Sequence, residues 1–445
     1  MQGFLLAHES PAEMSQKPEA NGLRRGRGSF QQKTIRDRLP MGSPYSASQT
    51  LRYNDQMKIL AIETSCDETA ISIIEGSGDI YSPNFNVLGN ALVSQIDVHK
   101  EFGGVYPNLA RREHARNLIP MLIKALKDSG LYKEKNISSV EIDPMVKSRL
   151  EEMLIKEPEL LKTFLKEIPK IEIPDIDLIA VTEGPGLAPA LWVGLNFADG
   201  LREVWSKPTV PINHMEGHIW SSTTNGEGIT FPSIALLVSG GHTELIYVKG
   251  FGDFKLIGKT RDDAIGEAYD KVARLLGLPY PGGPQISRLA ETHRKSGKKL
   301  GFSFTEPMLN SDDFDFSYSG LKTAVLYKLK EFPHITDEIR EEFARAFEEA
   351  AVGVLISKTR KAIDTFEAKS LIVGGGVIAN GYLRSRLTEL ISEYGNLDLK
   401  LPDHELATDN AIMIGIAAWL KAMKNPELLN TEEKFLLRAR GNLSF

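Results

Sequence analysis

The hydrophobic and polar positions of this chain fall into two kinds of segment: short apolar runs rich in β-branched residues, and longer stretches with apolar residues at helical spacing. Lys58 to Ile74 (KILAIETSCDETAISII) is two apolar runs around a short polar turn, the pattern of a hairpin whose turn faces a ligand. Leu109 to Ser129 keeps helical spacing and stops at Gly130, which predicts an amphipathic helix with a glycine C-cap. From about Lys133 to Pro174 the chain is dominated by Lys, Glu, Leu and Ile, with Leu150, Leu154, Leu160, Leu161 and Leu165 near helical spacing. This predicts a helical insertion whose charges form a solvated face. DIDLIAVTEGPGLAPALWVGL predicts a buried strand, a Gly/Pro loop and a helix start. FPSIALLVSGGHTELIYV predicts two strands joined across Ser239-Gly240-Gly241-His242-Thr243, and SLIVGGGVIANGYLRSRL a strand, a triple-glycine loop and a helix. Ile265 to Leu276 and Asp337 to Phe366 read as helices, with Tyr280-Pro281-Gly282-Gly283-Pro284 as a tight turn. Strands alternating with helices predict an α/β architecture with mixed sheets.

Composition sharpens this picture mainly at the N-terminus. Residues 1–56 are rich in Gly, Ser, Pro, Gln and Arg and show no sustained apolar period, so they cannot bury a core. They read as a disordered extension or a misassigned start, with Met57 opening the functional chain; their five acidic residues argue against a mitochondrial transit peptide. The chain of 445 residues carries a net charge of −6, and without the first 56 it holds 45 basic and 54 acidic residues. Such a surface does not coat nucleic acid, so RNA would bind through a local patch or with a partner's help. No uninterrupted apolar stretch of about 18 residues is present, so no membrane insertion is expected. One cysteine, Cys66, excludes an intrachain disulfide framework and is compatible with a reducing compartment.

Three loops that follow apolar strands are candidates for holding an anion: Thr64-Ser65, Ser239-Gly240-Gly241 and Gly374-Gly375-Gly376. Glycine lets backbone N–H groups approach a phosphate closely, although the same residues also serve plain tight turns. Neither a Walker motif nor a Rossmann fingerprint is present. His214-Met215-Glu216-Gly217-His218 places two imidazoles at i and i+4, on one helix face, from which both reach one divalent metal. Two histidines leave the coordination sphere incomplete, and Asp409, just before a small-residue helix start, is the candidate third ligand; ordinary surface or core histidines are the alternative. Glu216 lies about 200° around the helix from His214, away from the metal face, which is not the zinc-protease arrangement. Asp270 falls on the side of its helix that faces the following PGGP segment, where an acid is either a ligand contact or a complement to the helix dipole.

Taken in order, the segments IETSCDETA, GGVYPNLARREH, TEGPGLAPALWVG, HMEGH, ALLVSGGHTEL, GEAYDKVARLLGLPYPGGP, DFSYSGLKTAV, ARAFEEA, VGGGVIAN and ATDNAIMIG resemble the TsaD/Kae/Qri family, bacterial TsaD most closely. They run from residue 62 to 415 and leave residues 1–56 and the helical insertion unmatched. The resemblance implies a two-lobed, actin-like ATPase fold of the actin/hexokinase superfamily: a first lobe over 57–228 with the insertion at about 133–174, a second over 229–409, and a segment over 410–445 returning to the first. It implies transfer of a threonylcarbamoyl group from threonylcarbamoyl-adenylate to N6 of adenine-37 in tRNAs that read ANN codons. The family's metal ligands fall on His214, His218 and Asp409, for one divalent ion, Fe2+ ahead of Zn2+. Its substrate-binding residues fall on Leu237, Val238, Ser239, Gly240, Gly241, Asp270, Gly283 and Asn380, and Asp67 and Glu68 match as candidate catalytic acids or bases. The partners implied are tRNA, a TsaB-like paralogue and a TsaE-like ATPase, or a second copy in a homodimer, in the cytoplasm rather than the mitochondrion.

Other chemistries on the same fold remain to be weighed. A sugar kinase or chaperone-like ATPase would need a catalytic aspartate and Mg2+ but no H-x-x-x-H pair. A metal-dependent peptidase would need a glutamate where Glu216 is not. A non-catalytic scaffold would have no use for every metal and nucleotide position.

Overall fold

The computed structural model describes residues 56–135, 142–223, 228–431 and 435–445. The N-terminal extension expected over 1–56 therefore lies, apart from Gln56, outside the described residues. The strands are β1 (Met57–Glu63), β2 (Glu68–Asp79), β3 (Ser82–Ser94), β4 (Leu178–Gly184), β5 (Thr209–Asn213), β6 (Ser233–Val238), β7 (Thr243–Gly250), β8 (Asp253–Lys259), β9 (Ser370–Gly374) and β10 (Asp398–Lys400). They form two five-stranded sheets, ordered β3-β2-β1-β4-β5 and β10-β9-β6-β7-β8.

The two orders are one topology used twice. In the first sheet β1, β2 and β3 make an antiparallel meander, and β4 and β5 add in parallel on the other side of β1. In the second, β6, β7 and β8 make the meander, and β9 and β10 add in parallel beside β6. This duplicated, mixed α/β sheet is the two-lobed actin-like ATPase architecture. The central strands explain their own position: SIALLV in β6 is buried at every residue, as a strand covered on both faces must be.

Helices cover both faces. Pro107–Asp128 and Ala188–Trp205 pack one side of the first sheet through Leu118, Leu122, Leu126, Leu195 and Phe197. The 30-residue helix Asp337–Phe366 buries Phe343, Phe347 and Leu355 against the second. A third core holds residues of both sheets, among them Ala61, Leu237 and Ile372, around the helix Ala411–Lys424. That helix is apolar on nearly every side because it is wrapped, and Trp419, at 1% exposure, alone contributes roughly 3 kcal/mol of burial.

Most of the expected elements appear where the pattern puts them. The Lys58–Ile74 segment is the β1–β2 hairpin, Asp337–Phe366 is a helix over those bounds, and the charged stretch after Lys133 contains helices Pro144–Met153 and Pro158–Glu167. One expectation is corrected. The YPGGP segment is not a free tight turn, because a helix, Gly282–Lys295, begins inside it. Pro284 stands in the first turn, where backbone N–H groups have no intrahelical acceptor, so its missing N–H is harmless. Gly282 is required at the start, since a Cβ there would lie 2.4 Å from the Ala273 Cβ. Among the described residues no helix is long and apolar enough to cross a membrane.

Candidate functional site

The HMEGH segment is a short helix, His214–Trp220, directly after β5, and Asn213 caps it by accepting the Met215 N–H at 2.8 Å. The helix brings the two imidazoles to one face, with ring centroids 4.7 Å apart and planes at 84°. Asp409 arrives from the other end of the chain, fixed by Asn410, whose side chain accepts the Met413 N–H and so starts the helix Ala411–Lys424. The Nε2 atoms of His214 and His218 then lie 3.5 and 3.2 Å from the same carboxylate oxygen, Asp409 Oδ1.

Glu63, at the end of β1 and fully buried, supports this trio from behind. Its Oε2 sits 3.0 Å from His214 Nδ1 and accepts the Thr182 hydroxyl at 2.6 Å, while Ser65 Oγ lies 3.2 Å from the same ring nitrogen. A carboxylate on the far nitrogen fixes the tautomer that leaves Nε2 free to ligate, the arrangement seen behind metal-bound histidines. Burial works against a charge on His214, yet Asp409 and Glu63 raise its pKa well above the usual imidazole value. Burial likewise opposes ionisation of Asp409, but His214 and His218 hold its carboxyl well below the usual range. Two convergent Nε2 atoms and one carboxylate oxygen, all within 4.8 Å of one another, fit a divalent cation of the iron or zinc kind. Among the described residues the buried His218 Nδ1 has no hydrogen-bond partner, so His218 is oriented through its Nε2 contact with Asp409.

The β1–β2 turn touches the trio through Ser65 and carries Asp67, and Glu68 opens β2 beside it. Burial first, then the charges of Asp409 and Asp67, push the Glu68 carboxyl up to about 10, and burial with Asp409 also raises Asp67. Clustered acids in a dry site resist ionising together, so burial and mutual repulsion favour the protonated form of this pair. The turn is pinned by His114, whose Nδ1 lies 2.8 Å from Thr69 Oγ1 and whose Nε2 lies 3.0 Å from the Cys66 carbonyl oxygen. Burial keeps His114 neutral, with its pKa lowered to about 4.

The remaining candidates lie on the second sheet and the helices around it. Leu237 and Val238 are fully buried and strand-paired, so their side chains serve the cores, and the backbone of Ser239, Gly240 and Gly241 is what reaches outward. Ser239 Oγ organises that turn by accepting the Gly241 and His242 N–H groups. Asp270 Oδ1 accepts the Gly282 N–H at 2.7 Å at the start of the helix that carries Gly283, and a Cβ at Gly283 would meet open space. Asn380 caps helix Gly381–Ser392 through Oδ1, while its amide nitrogen donates to the buried Glu348 at 2.7 Å. At Gly374 a Cβ would sit 2.6 Å from the His218 carbonyl oxygen, so the end of β9 abuts the metal-centre helix directly. Burial, and then the charges of Asp67 and Asp270, raise the pKa of Tyr280.

Glu63, His114 and His242 were not singled out from the sequence. Glu63 was embedded in an apolar strand and His114 in a helix, with no local signal of their tertiary partners. His242 stands in the SGGHT turn, and burial together with the charges on His214 and His218 pulls its pKa to about 4. Glu216 faces away from the metal trio, around a cavity shared with Glu183, Asn213 and Lys421.

Comparison with known proteins identifies the family. A family model described as "TsaD: tRNA N6-adenosine threonylcarbamoyltransferase" matches residues 86–140 and 155–416, leaving only 141–154 of the helical insertion outside it within that span. The protein of that name from Burkholderia ambifaria is 40% identical over 394 residues, covering 87% of this chain and 99% of the relative, and that from Burkholderia vietnamiensis is equally similar. Among solved structures, full-length HypF in a phosphate- and nucleotide-bound form aligns with a TM-score of 0.47 at 12% identity, over 84% of this chain and 56% of that one. A ROK hexokinase from Thermus thermophilus aligns at 0.37 and 13%, over 83% of this chain and all of that one. With the match spanning nearly the whole length of its relatives and the H-x-x-x-H pair converging with Asp409 in space, the chain belongs to the TsaD family of tRNA N6-adenosine threonylcarbamoyltransferases and is a transferase that modifies tRNA.

Proposed function

We propose that the enzyme transfers the threonylcarbamoyl group from threonylcarbamoyl-adenylate to N6 of adenine-37 in tRNAs that read ANN codons, forming t6A37 and releasing AMP. The observation that supports this reading is the His214–His218–Asp409 trio, whose ligand atoms lie within 4.8 Å of one another, with the carboxyls of Asp67 and Glu68 in electrostatic reach of Asp409. In the reaction a bond forms between N6 and the carbamoyl carbon, the bond from that carbon to the AMP phosphate oxygen breaks, and N6 loses a proton. An exocyclic adenine amine is a poor nucleophile, so positioning and proton removal supply much of the rate. Asp67 takes the proton, while Glu68, which burial and the neighbouring acids push up to about 10, donates a hydrogen bond.

His214, His218 and Asp409 would hold Fe2+, with Zn2+ as the alternative. Such an ion, when bound, supplies a Lewis acid and positive charge beside the departing phosphate. Gly240 offers its N–H to anionic oxygens, the Ser239 and Gly241 N–H groups being committed within the turn; Gly283, lacking a Cβ, lets a ligand approach; and Asp270, which holds Gly282 through Oδ1, accepts from ribose hydroxyls. Asn380 borders the adenine side. A TsaB-like paralogue and a TsaE-like ATPase complete the assembly, a homodimer being the alternative, in the cytoplasm.

The test is a transfer assay with threonylcarbamoyl-adenylate and unmodified ANN-decoding tRNA, with and without the two partners, read by mass spectrometry of the nucleosides. Product that disappears in His214→Ala and His218→Ala supports the reading; metal analysis of the active protein identifies the ion. Product retained by both variants would overturn the role given to the trio.

A further inference from the structure

Glu348 lies in the middle of the long helix Asp337–Phe366 with 0% exposure, and no step above uses it. A buried carboxylate is retained only where its oxygens are matched by donors. Its Oε1 accepts the Asn380 amide at 2.7 Å and the Tyr269 hydroxyl at 3.5 Å, and its Oε2 accepts Arg294 Nη2 at 2.5 Å. The guanidinium of Arg294 is in turn held over the Tyr382 ring at 3.7 Å.

These donors come from three separate elements. Tyr269 belongs to helix Ile265–Leu275 and immediately precedes Asp270. Arg294 belongs to helix Gly282–Lys295, which begins beside Gly283. Asn380 caps helix Gly381–Ser392. Each element therefore carries one of the residues assigned above to the nucleotide, and one carboxylate ties all three.

We infer that Glu348 is the positioning residue of the nucleotide cleft: its carboxylate sets the mutual placement of Asp270, Gly283 and Asn380. The inference rests on the assignment of those residues to the nucleotide. The bond to Glu348 fixes which end of the Asn380 amide is nitrogen, because Oδ1 is already committed to the Leu383 N–H. It leaves the first-sheet chemistry untouched, so its loss acts on nucleotide affinity and not on the metal trio.

Glu348→Gln in the full-length protein keeps the shape and removes the charge that holds Arg294. AMP is the probe, titrated calorimetrically, with cobalt(II) absorption reporting the metal site. The expected result is an AMP Kd raised about tenfold with an unchanged cobalt spectrum and a KM effect on the adenylate larger than the kcat effect. A carboxylate with a purely structural role would lower the melting temperature and leave the Kd of the folded protein within about twofold; that outcome overturns the inference. Should Glu348→Gln fail to fold, Tyr269→Phe removes one hydroxyl from the same carboxylate, and its AMP Kd should rise about threefold; no rise would overturn the inference equally. Asn380→Ala separates the two levels. If it too leaves AMP affinity unchanged, the assignment of Asn380 to the nucleotide fails; if it weakens AMP while Glu348→Gln does not, only the role of Glu348 fails.

Discussion

The two sheets share a strand order and differ in what they carry at its tips. In the first, the turn between the opening strands holds Asp67, backed by Glu63 and pinned by the buried imidazole of His114. In the second, the equivalent turn is Ser239-Gly240-Gly241-His242, held by one serine hydroxyl, with its glycines exposed. The same scaffold thus presents titratable groups on one side and bare backbone on the other. Duplication of a framework leaves loop chemistry free to diverge, because the strands beneath already satisfy their own hydrogen bonds.

The largest expected effect tests the charged side. Asp67→Asn removes the proposed base without changing shape, and kcat should fall by about 10²–10⁴-fold with the metal retained, measured by single-turnover transfer. Next comes pH. His114 has a pKa of about 4 in the fold against 6.5 for the free group, so between those values the unfolded chain binds the extra proton. The stabilisation is fully present above about 6.5 and is lost as pH falls toward 4, up to about 3 kcal/mol, and His114→Gln should flatten that slope in urea unfolding series. Glu63→Gln should weaken metal affinity by about 10–100-fold in chelator competition, because the carboxylate charge behind His214 Nδ1, which raises the ligand's basicity, is lost.

The smallest effects belong to the glycine side. Gly375 has φ +90° and ψ 155°, and a Cβ there would lie 2.4 Å from the Val238 carbonyl oxygen, so Gly375→Ala should destabilise by about 1–3 kcal/mol. Gly241→Ala meets no atom within 4 Å and should change thermal stability by less than about 0.5 kcal/mol, so any loss of transfer there reports on the ligand alone.

The same contrast explains what could be read in advance. The convergence of His214 and His218 was legible because a helix converts an i, i+4 spacing into one face with no help from the rest of the chain. The β1–β2 hairpin and the triple-glycine loop were legible for the same local reason. Glu63 was not, because its role is set by β4 and β5, which bring Thr182 and His214 to it from more than a hundred residues away. The helix from Gly282 was hidden by its own composition: Gly-Gly-Pro is a turn signal locally, and only the packing of Gly282 against Ala273 turns it into a helix start. The edge strand β3 was missed because its pattern, interrupted by Pro83 and Gly89, alternates poorly and takes its register from β2.

The close approach of Gly374 to the backbone of His218 has a mechanical meaning. The metal-centre helix is wedged between the end of β9 and the helix that follows Asp409, where Gly217 meets Met413 and Ile414. It is held by packing on both sides and not by a loop. Side chains larger than glycine at Gly217 or Gly374 would push against this helix from either side, so the spacing of the two histidines is set by packing outside the loops that surround them.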